Sequence, residues 1–249
     1  MQASEQPPAR GEKWTEIEHL PEWDEEFYDV YTARKFGKWV MLKTLKEELR
    51  EREEYRRMLE REFEVRYNLA HSHIIMINDL EEVPGLGRCI ITDDVYGDSL
   101  TKLIAKKEVS PEIVRKIAHD LVSAIDYLQT NHIVHHPITA DTVIFTENIR
   151  NLKVIDVGFD QKNALGPTEV GDDIRAFGRV LTQALDACPE SFPRLRAVAE
   201  RCLGPTPYTS VQQLQMAIAG NSDKRLYMGV IAFLIAMVIL LSLVLIFRP

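Results

Sequence analysis

The sequence predicts an α+β protein in which a small β-rich part precedes a helical part, followed by one C-terminal transmembrane helix. Residues 14–45 alternate apolar and polar side chains around a hairpin turn at residues 35–38, a pattern typical of paired strands. Residues 111–128 repeat apolar side chains at helical spacing, which predicts a buried helix face formed by Ile113, Ile117, Leu121, Ile125 and Leu128. Residues 227–247 contain no charged side chain.

The apolar run from Tyr227 to Phe247 sets the predicted domain organisation. Its 21 residues, at about 1.5 Å per residue, are long enough to cross a hydrocarbon core of about 30 Å. We therefore expect a disordered tail over residues 1–13, one folded domain over 14–220, a linker over 221–226 and a membrane span over 227–247. Lys224 and Arg225 precede the span, and the tail lacks the apolar stretch of a secretory signal, so the domain is predicted to be cytoplasmic.

Charge and cysteine content exclude some classes of function. The formal net charge is -8, which argues against a nucleic-acid partner bound through its phosphates. Cys89, Cys188 and Cys202 lack the spacing of a metal site, so we interpret them as small core residues of a protein in a reducing compartment. His132, His135 and His136 also do not predict a metal site, because no neighbouring cysteine or carboxylate completes a ligand set.

The stretch from Ile133 to Gly158 is the most informative part of the chain. Two short apolar strands, at residues 143–145 and 152–155, follow a polar loop that contains Pro137. The second strand leads to Asp156 and then to Gly158. An acid at the end of a buried strand could hold a metal ion, and glycine lets the backbone turn after it. Asp156 could equally be a turn residue without a ligand.

This stretch resembles the catalytic core of the protein kinase family, whose loop H-R-D-x-x-x-x-N precedes D-F-G. His135 matches the histidine of the loop, but Pro137 stands where the catalytic aspartate belongs and Thr142 where the metal-binding asparagine belongs. Residues 156–158 match D-F-G with the aspartate retained. Proline has no carboxylate that could accept a substrate proton, so the resemblance implies a catalytic site without its base. Asp141 is four positions away, and we do not expect it to replace that base.

The resemblance extends over residues 14–220 and implies a bilobal fold, with a small β-rich N-lobe and a helical C-lobe. Residues 40–43, V-M-L-K, occupy the place of V-A-I-K, so Lys43 corresponds to the phosphate-binding lysine. On a long helix predicted over 46–70, Glu62 corresponds to the ion-pair partner of that lysine. Thr92 corresponds to the residue at the back of the nucleotide pocket. The glycine-rich loop is missing, since its three glycines correspond to Trp23, Glu25 and Tyr28.

The segment that should present a protein substrate is also short. Residues 159–172 separate Gly158 from Asp173, where the next helix is expected to begin, and the nearest relic of the A-P-E motif is residues 166–169. The arginine that pairs with the glutamate of that motif should lie near Tyr208, so both partners of the ion pair are missing.

The resemblance thus implies a membrane-anchored pseudokinase that acts as a scaffold or regulatory signalling module with an unknown protein partner. The alternative is a divergent serine/threonine-type kinase that transfers phosphate slowly from ATP. A third interpretation, compatible with the first, is that nucleotide binds without phosphate transfer and holds the two lobes in one arrangement. If ATP and Mg²⁺ bind, the resemblance assigns nucleotide contacts to Lys43, Glu62, Thr92, Thr142 and Asp156, with Asp156 as the magnesium ligand.

Overall fold

A computed structural model of the protein describes residues 13–147, 150–155, 157–220 and 233–235. Within these ranges, no helix is both long enough and apolar enough to cross a membrane. The transmembrane span expected over 227–247 lies outside the described residues except for 233–235, which are helical. The expected tail and the 221–226 linker lie outside them as well, apart from Lys13.

The N-terminal part is a five-stranded antiparallel sheet in the order β1-β2-β3-β5-β4. The strands are β1 Trp14–His19, β2 Tyr28–Lys35, β3 Lys38–Leu45, β4 Ile77–Val83 and β5 Gly87–Asp93. The turn between β2 and β3 is the one predicted from the sequence, with Gly37 at a φ of 84° that favours glycine. Side chains alternate along β3, so that Val40 and Leu42 pack into one core while Met41 and Lys43 point to the opposite face.

Helix α1, Glu53–Tyr67, packs beside this sheet and carries Glu62. The prediction of a helix from residue 46 was wrong at its N-terminal end. The chain first makes a 3₁₀ turn at Glu47–Leu49, and Arg52 is extended before α1 begins. Leu49 lies in this separate turn and packs against the same core as Leu59. In the sequence it continues the apolar spacing of the helix, although it is not part of the helix.

The C-terminal part is helical and encloses the largest core. Its helices are α2 Leu100–Lys106, α3 Pro111–Lys116, α4 Val122–Thr130, α5 Pro167–Ala187, α6 Pro193–Leu203 and α7 Val211–Ala219. A π-helical turn at Ile117–Leu121 joins α3 to α4. The five predicted stripe residues from Ile113 to Leu128 are all fully buried, and Ser110 caps α3 as expected. The three cysteine thiols are buried and unpaired.

Short strand pairs position the central loop between the two parts. β6 Gly97–Ser99, β8 Val143–Thr146 and β9 Leu152–Val154 form one small sheet, and β7 Ile133–Val134 pairs with β10 Asp160–Gln161 in another. Ile74, in the segment after α1, bridges to Val154, which ties the N-terminal part to the loop. These strand pairs flank the loop of residues 135–142, and Ile138 and Ala140 of that loop are buried in the C-terminal core.

Helix α5 begins six residues earlier than the sequence predicted. We expected a helix from Asp173, but the first helical residue is Pro167. The Gly166 backbone N–H donates to the Glu169 carboxylate at 2.6 Å, which caps the first turn. The Gly-Pro-Thr-Glu sequence is therefore a helix start, and the segment that separates Gly158 from α5 is shorter still.

Candidate active site

Lys43 and Glu62 form the ion pair that the sequence predicted. The Lys43 Nζ atom lies 3.0 Å from Glu62 Oε1, and the two side chains are only 10% and 6% exposed. Arg66, one helical turn after Glu62, donates to the same carboxylate oxygen at 2.6 Å. Arg66 was not predicted from the sequence, although its i,i+4 spacing from Glu62 is a pattern that indicates such a pair.

The charge state of this cluster follows from its surroundings. Burial alone would raise the pKa of the Glu62 carboxyl, but the adjacent Lys43 ammonium and Arg66 guanidinium outweigh it and hold the pKa below its ordinary value. Tyr28 lies beneath the lysine, with Lys43 Nζ 4.2 Å from its ring centroid. Burial, followed by the negative charges of Glu62 and Glu25, raises the pKa of the Tyr28 phenol, so it stays neutral.

A second carboxylate reaches Lys43 from the loop where the family has its glycines. Glu25 Oε2 accepts from Lys43 Nζ at 2.6 Å, and the Glu25 backbone N–H donates to the Tyr28 carbonyl at 3.0 Å, which fixes the turn. The sequence indicated only that this loop lacks its glycines, and the pairing of Glu25 with Lys43 was not predicted from it. A carboxylate in this position competes directly with a phosphate for the ammonium group.

The cleft beside Lys43 is divided into two cavities. The inner cavity, next to Lys43, has a volume of about 70 Å³ and is walled by Trp23, Met41, Thr92 and Ile155 among others. The front cavity, of about 780 Å³, shares Trp23 and Met41 with the inner cavity and extends to residues 94–98. Trp23 and Met41 line both cavities and therefore lie where the two meet. Met41 is the residue that replaces the alanine of V-A-I-K, a difference visible in the sequence.

The loop that should carry the base contains no carboxylate at the base position. Pro137 is exposed there. The His135 side chain is 4% exposed, and its Nε2 lies 3.2 Å from Asp173 Oδ1 while its Nδ1 lies 2.7 Å from the His136 carbonyl oxygen. Asp173 also accepts from the Gln129 amide at 2.7 Å. His135 therefore links the loop to α5, which is a structural role.

The structure differs in what it shows for the other residues that were predicted to contact nucleotide or metal. The Thr142 hydroxyl donates to the Thr139 carbonyl at 3.2 Å and accepts from the Thr139 N–H at 3.0 Å, so it closes its own loop. Thr92 is buried and lines the inner cavity, as expected for the back of the pocket. Asp156, the predicted magnesium ligand, lies outside the described residues. The nucleotide and metal roles of these residues stay predictions.

The segment after Gly158 is held close to the domain. Asp160 accepts from Arg61 of α1 at 3.1 Å, and Glu169 pairs with Lys162 as well as capping α5. Tyr208, near which an arginine was expected in the family pattern, is buried with the Arg201 guanidinium 4.3 Å from its ring centroid. Glu169 thus makes local contacts, in agreement with the loss of the ion pair that anchors a longer segment.

The cavity beside Lys43 is too small for a nucleoside triphosphate in this arrangement. Ligand pockets of that size class occupy roughly 300–1,000 Å³, whereas the cavity beside Lys43 has about 70 Å³. Trp23 and Met41 lie where that cavity meets the larger space in front of it. The lysine that would bind phosphates is bound by two glutamates.

Comparison with known proteins agrees with this architecture. The protein kinase domain family matches residues 26–171, more than half of the chain. The kinase domain of PknI from Mycobacterium tuberculosis superposes with a TM-score of 0.59 at 21% sequence identity, covering 86% of this chain and 99% of that domain. At this identity the superposition shows a shared fold.

Curated relatives are serine/threonine kinases of greater length. The chain is 30% identical over 101 residues to the serine/threonine-protein kinase kin-29 of Caenorhabditis elegans, which is 41% of this chain and 12% of that protein. It is 25% identical over 162 residues to the SNF1-like protein kinase ssp2 of Schizosaccharomyces pombe, 64% of this chain and 28% of that protein. The chain thus spans less than a third of the length of these relatives. By its sequence match and its bilobal fold, it belongs to the protein kinase domain family.

Proposed function

We propose that this protein is a pseudokinase, a kinase-like domain that has lost phosphoryl transfer and serves as a regulatory or docking module at a membrane. The observation that carries the proposal is the engagement of Lys43 by Glu25 at 2.6 Å, from the loop that should cradle phosphates. The same site has Pro137 in place of a base. A kinase must position the phosphates of ATP and orient the hydroxyl group of its substrate. Glu25 occupies the lysine that would position the phosphates, and Pro137 replaces the base that would orient the hydroxyl.

One observation favours the alternative, a divergent kinase with slow transfer. The Lys43–Glu62 ion pair is intact at 3.0 Å, and active kinases require this pair. Phosphoryl transfer depends mainly on positioning and charge stabilisation, so a site that lacks its base could retain some activity. In this alternative, Glu25 would have to leave Lys43 when nucleotide enters.

Phosphate transfer distinguishes the two functions. The purified full-length chain, in detergent, is incubated with radiolabelled Mg·ATP, alone and with casein, and incorporation is followed over time beside an Asp156→Ala variant. The pseudokinase proposal predicts a trace that does not rise above that of the variant, even at high protein concentration. Time-dependent incorporation that disappears in Asp156→Ala would establish the divergent kinase instead.

The membrane part of the proposal comes from residues 227–247. Their 21 uncharged residues match the length of a single membrane span, and Lys224 and Arg225 before them favour a cytoplasmic position for the kinase-like domain. In this arrangement the domain is tethered at its C-terminal end and its cleft faces the cytoplasm. The partner is then a protein that reaches the domain from the cytoplasm or from the same membrane.

A further inference from the structure

The front cavity is acidic, and most of its carboxylates form no ion pair in the described part of the chain. Five lining residues carry carboxylates, and two lining residues, Lys102 and Lys106, carry ammonium groups. Lys106 is already paired with Asp98 at 2.7 Å. Within the described part of the chain, the carboxylates without an ion pair are those of Glu18, Glu22, Asp94 and Glu147.

Asp94 is the most informative of these acids. It is half-buried at the start of the segment that connects the two lobes, and burial raises the pKa of its carboxyl. A buried carboxylate is normally hydrogen-bonded or paired, since its desolvation costs free energy that a partner offsets. Among the described residues nothing offsets it. A ligand cation in the front cavity would supply the missing partner.

Aromatic side chains in the same cavity suit the same kind of ligand. Trp23 and Trp39 line it from the N-terminal part, and Tyr96 lines it from the connecting segment with 71% of its surface exposed. Guanidinium and ammonium groups are attracted to the faces of such rings. The chain already uses Trp39 in this way, because the Arg34 guanidinium lies 4.6 Å from its ring centroid.

We propose that the front cavity binds a basic peptide segment of a partner protein, with arginine or lysine side chains placed between the carboxylates and the aromatic rings. This inference rests on the proposed docking role and gives the partner its chemistry. The unpaired carboxylates come from β1, from the 3₁₀ turn at Pro21–Trp23, from the connecting segment and from the end of β8. Acids on four separate elements match several cationic groups along a chain better than one small cation. The volume of about 780 Å³ accommodates a short peptide.

The test is fluorescence anisotropy with the full-length chain in a zwitterionic detergent. The probe is a labelled pentapeptide that carries two arginines, and the matched probe carries citrulline, the neutral isostere, at both positions. We expect the arginine peptide to bind at least about tenfold more tightly. Its affinity should fall as salt is raised, because the charges are partly exposed. Equal binding of the two peptides would overturn the proposal.

Variants locate the site. We expect Asp94→Asn to weaken the arginine peptide about fivefold or more, and Tyr96→Ala, at an exposed position, to weaken it about threefold. The control Glu200→Gln removes an exposed acid from α6, outside the cavity, and should change affinity less than about twofold. Unchanged affinity in both Asp94→Asn and Tyr96→Ala would contradict the proposed site.

Two further outcomes distinguish the peptide proposal from a site for small cations and from the pseudokinase proposal. If arginine amide competes with the labelled peptide at equal concentration, the cavity binds small organic cations, and the peptide assignment is wrong. Failure of peptide binding would leave the pseudokinase proposal intact, because that proposal is tested by phosphate transfer and not by this assay. Conversely, detectable phosphate transfer would overturn the pseudokinase proposal without affecting the measured peptide affinity.

Discussion

At the scale of single residues, the centre of the cleft is a buried ionic cluster in which each charge depends on its neighbours. Glu62 accepts from both Lys43 and Arg66 through one oxygen atom. Within the described chain, the buried Arg66 Nε has no hydrogen-bond partner, so the cluster is incompletely satisfied. Such clusters contribute little to stability in total, but removal of one member is costly because the remaining charges stay buried.

Glu62→Gln should therefore destabilise the domain. The substitution keeps the side-chain shape and removes the negative charge that Arg66 contacts, so we expect a loss of about 3 kcal/mol in the free energy of unfolding. Chemical denaturation followed by circular dichroism measures it. Glu64→Gln, an exposed neighbour on the same helix, is the matched control and should change stability by less than about 0.5 kcal/mol. Equal losses in unfolding free energy for the two variants would show that the buried cluster does not cause the destabilisation.

The Glu62 carboxylate also makes the free energy of unfolding depend on pH. Because the folded-state pKa of Glu62 is lowered from its ordinary 4.5, its contribution is fully present above pH 4.5 and is lost as pH falls through the lowered value. The difference in unfolding free energy between wild type and Glu62→Gln should therefore shrink steadily as pH falls below about 4.5. Denaturation curves of both proteins from pH 7 downward measure that difference, and a constant gap across the range would contradict the assignment.

Sequence reasoning identified Lys43 and Glu62 because a known pattern fixes their spacing. It did not find Glu25 as a partner of Lys43, because the two are 18 residues apart and the path of the connecting loop has no periodicity to read. It also gave Met41 no role, although the replacement of a small residue by a long side chain beside the lysine could have indicated a filled pocket.

At the scale of elements, glycine positions test how closely the C-terminal helices pack. A Cβ atom on Gly178 of α5 would lie 2.6 Å from the Cβ atom of Cys202 in α6, inside the buried core. We expect Gly178→Ala to destabilise the protein by about 1–3 kcal/mol, since the helices would have to separate. Thermal unfolding of the variant measures this loss.

The matched substitution on the same helix should have the opposite sign. A Cβ atom on Gly171 would meet only the flexible end of Arg175, at 3.5 Å. Alanine is a better helix former than glycine, so Gly171→Ala should stabilise by up to about 1 kcal/mol. If both variants are stabilised, the α5–α6 contact is looser than the structure indicates.

The element boundaries show what local patterns can and cannot predict. The start of α3 was predicted because Ser110, Pro111 and Glu112 are all local signals, and the structure has that cap. The start of α5 was wrong because Gly166 to Glu169 was interpreted as a relic of a family motif, although proline followed by glutamate is itself a helix-start signal. The start of α1 was wrong because Leu49 keeps helical spacing from a separate 3₁₀ turn.

At the scale of the whole molecule, we expect the chain to be anchored at its C-terminal end. The full-length protein should remain in the membrane pellet after alkaline carbonate extraction, because residues 227–247 are long and uncharged enough to span. A chain that ends at residue 226 should appear in the supernatant under the same conditions. Release of the full-length chain by carbonate would contradict the predicted anchor.

In the proposed pseudokinase, the protein's own side chains close the cleft to nucleotide. Lys43 is bound by Glu25 and Glu62, and the cavity beside it, lined by Trp23 and Met41 among others, has about 70 Å³. If these side chains are the obstacle, their replacement should reopen the site. Glu25→Gln removes the competing charge, and Met41→Ala restores the small residue of the family pattern at that position.

The most direct test is calorimetric titration of the full-length chain with Mg·ATP, for wild type, for the double variant Glu25→Gln with Met41→Ala, and for Lys43→Ala. We predict no binding to wild type or to Lys43→Ala at millimolar nucleotide, and measurable binding to the double variant. Micromolar binding to wild type that is lost in Lys43→Ala would contradict the account, because it would show that the lysine still binds phosphates in the native cleft.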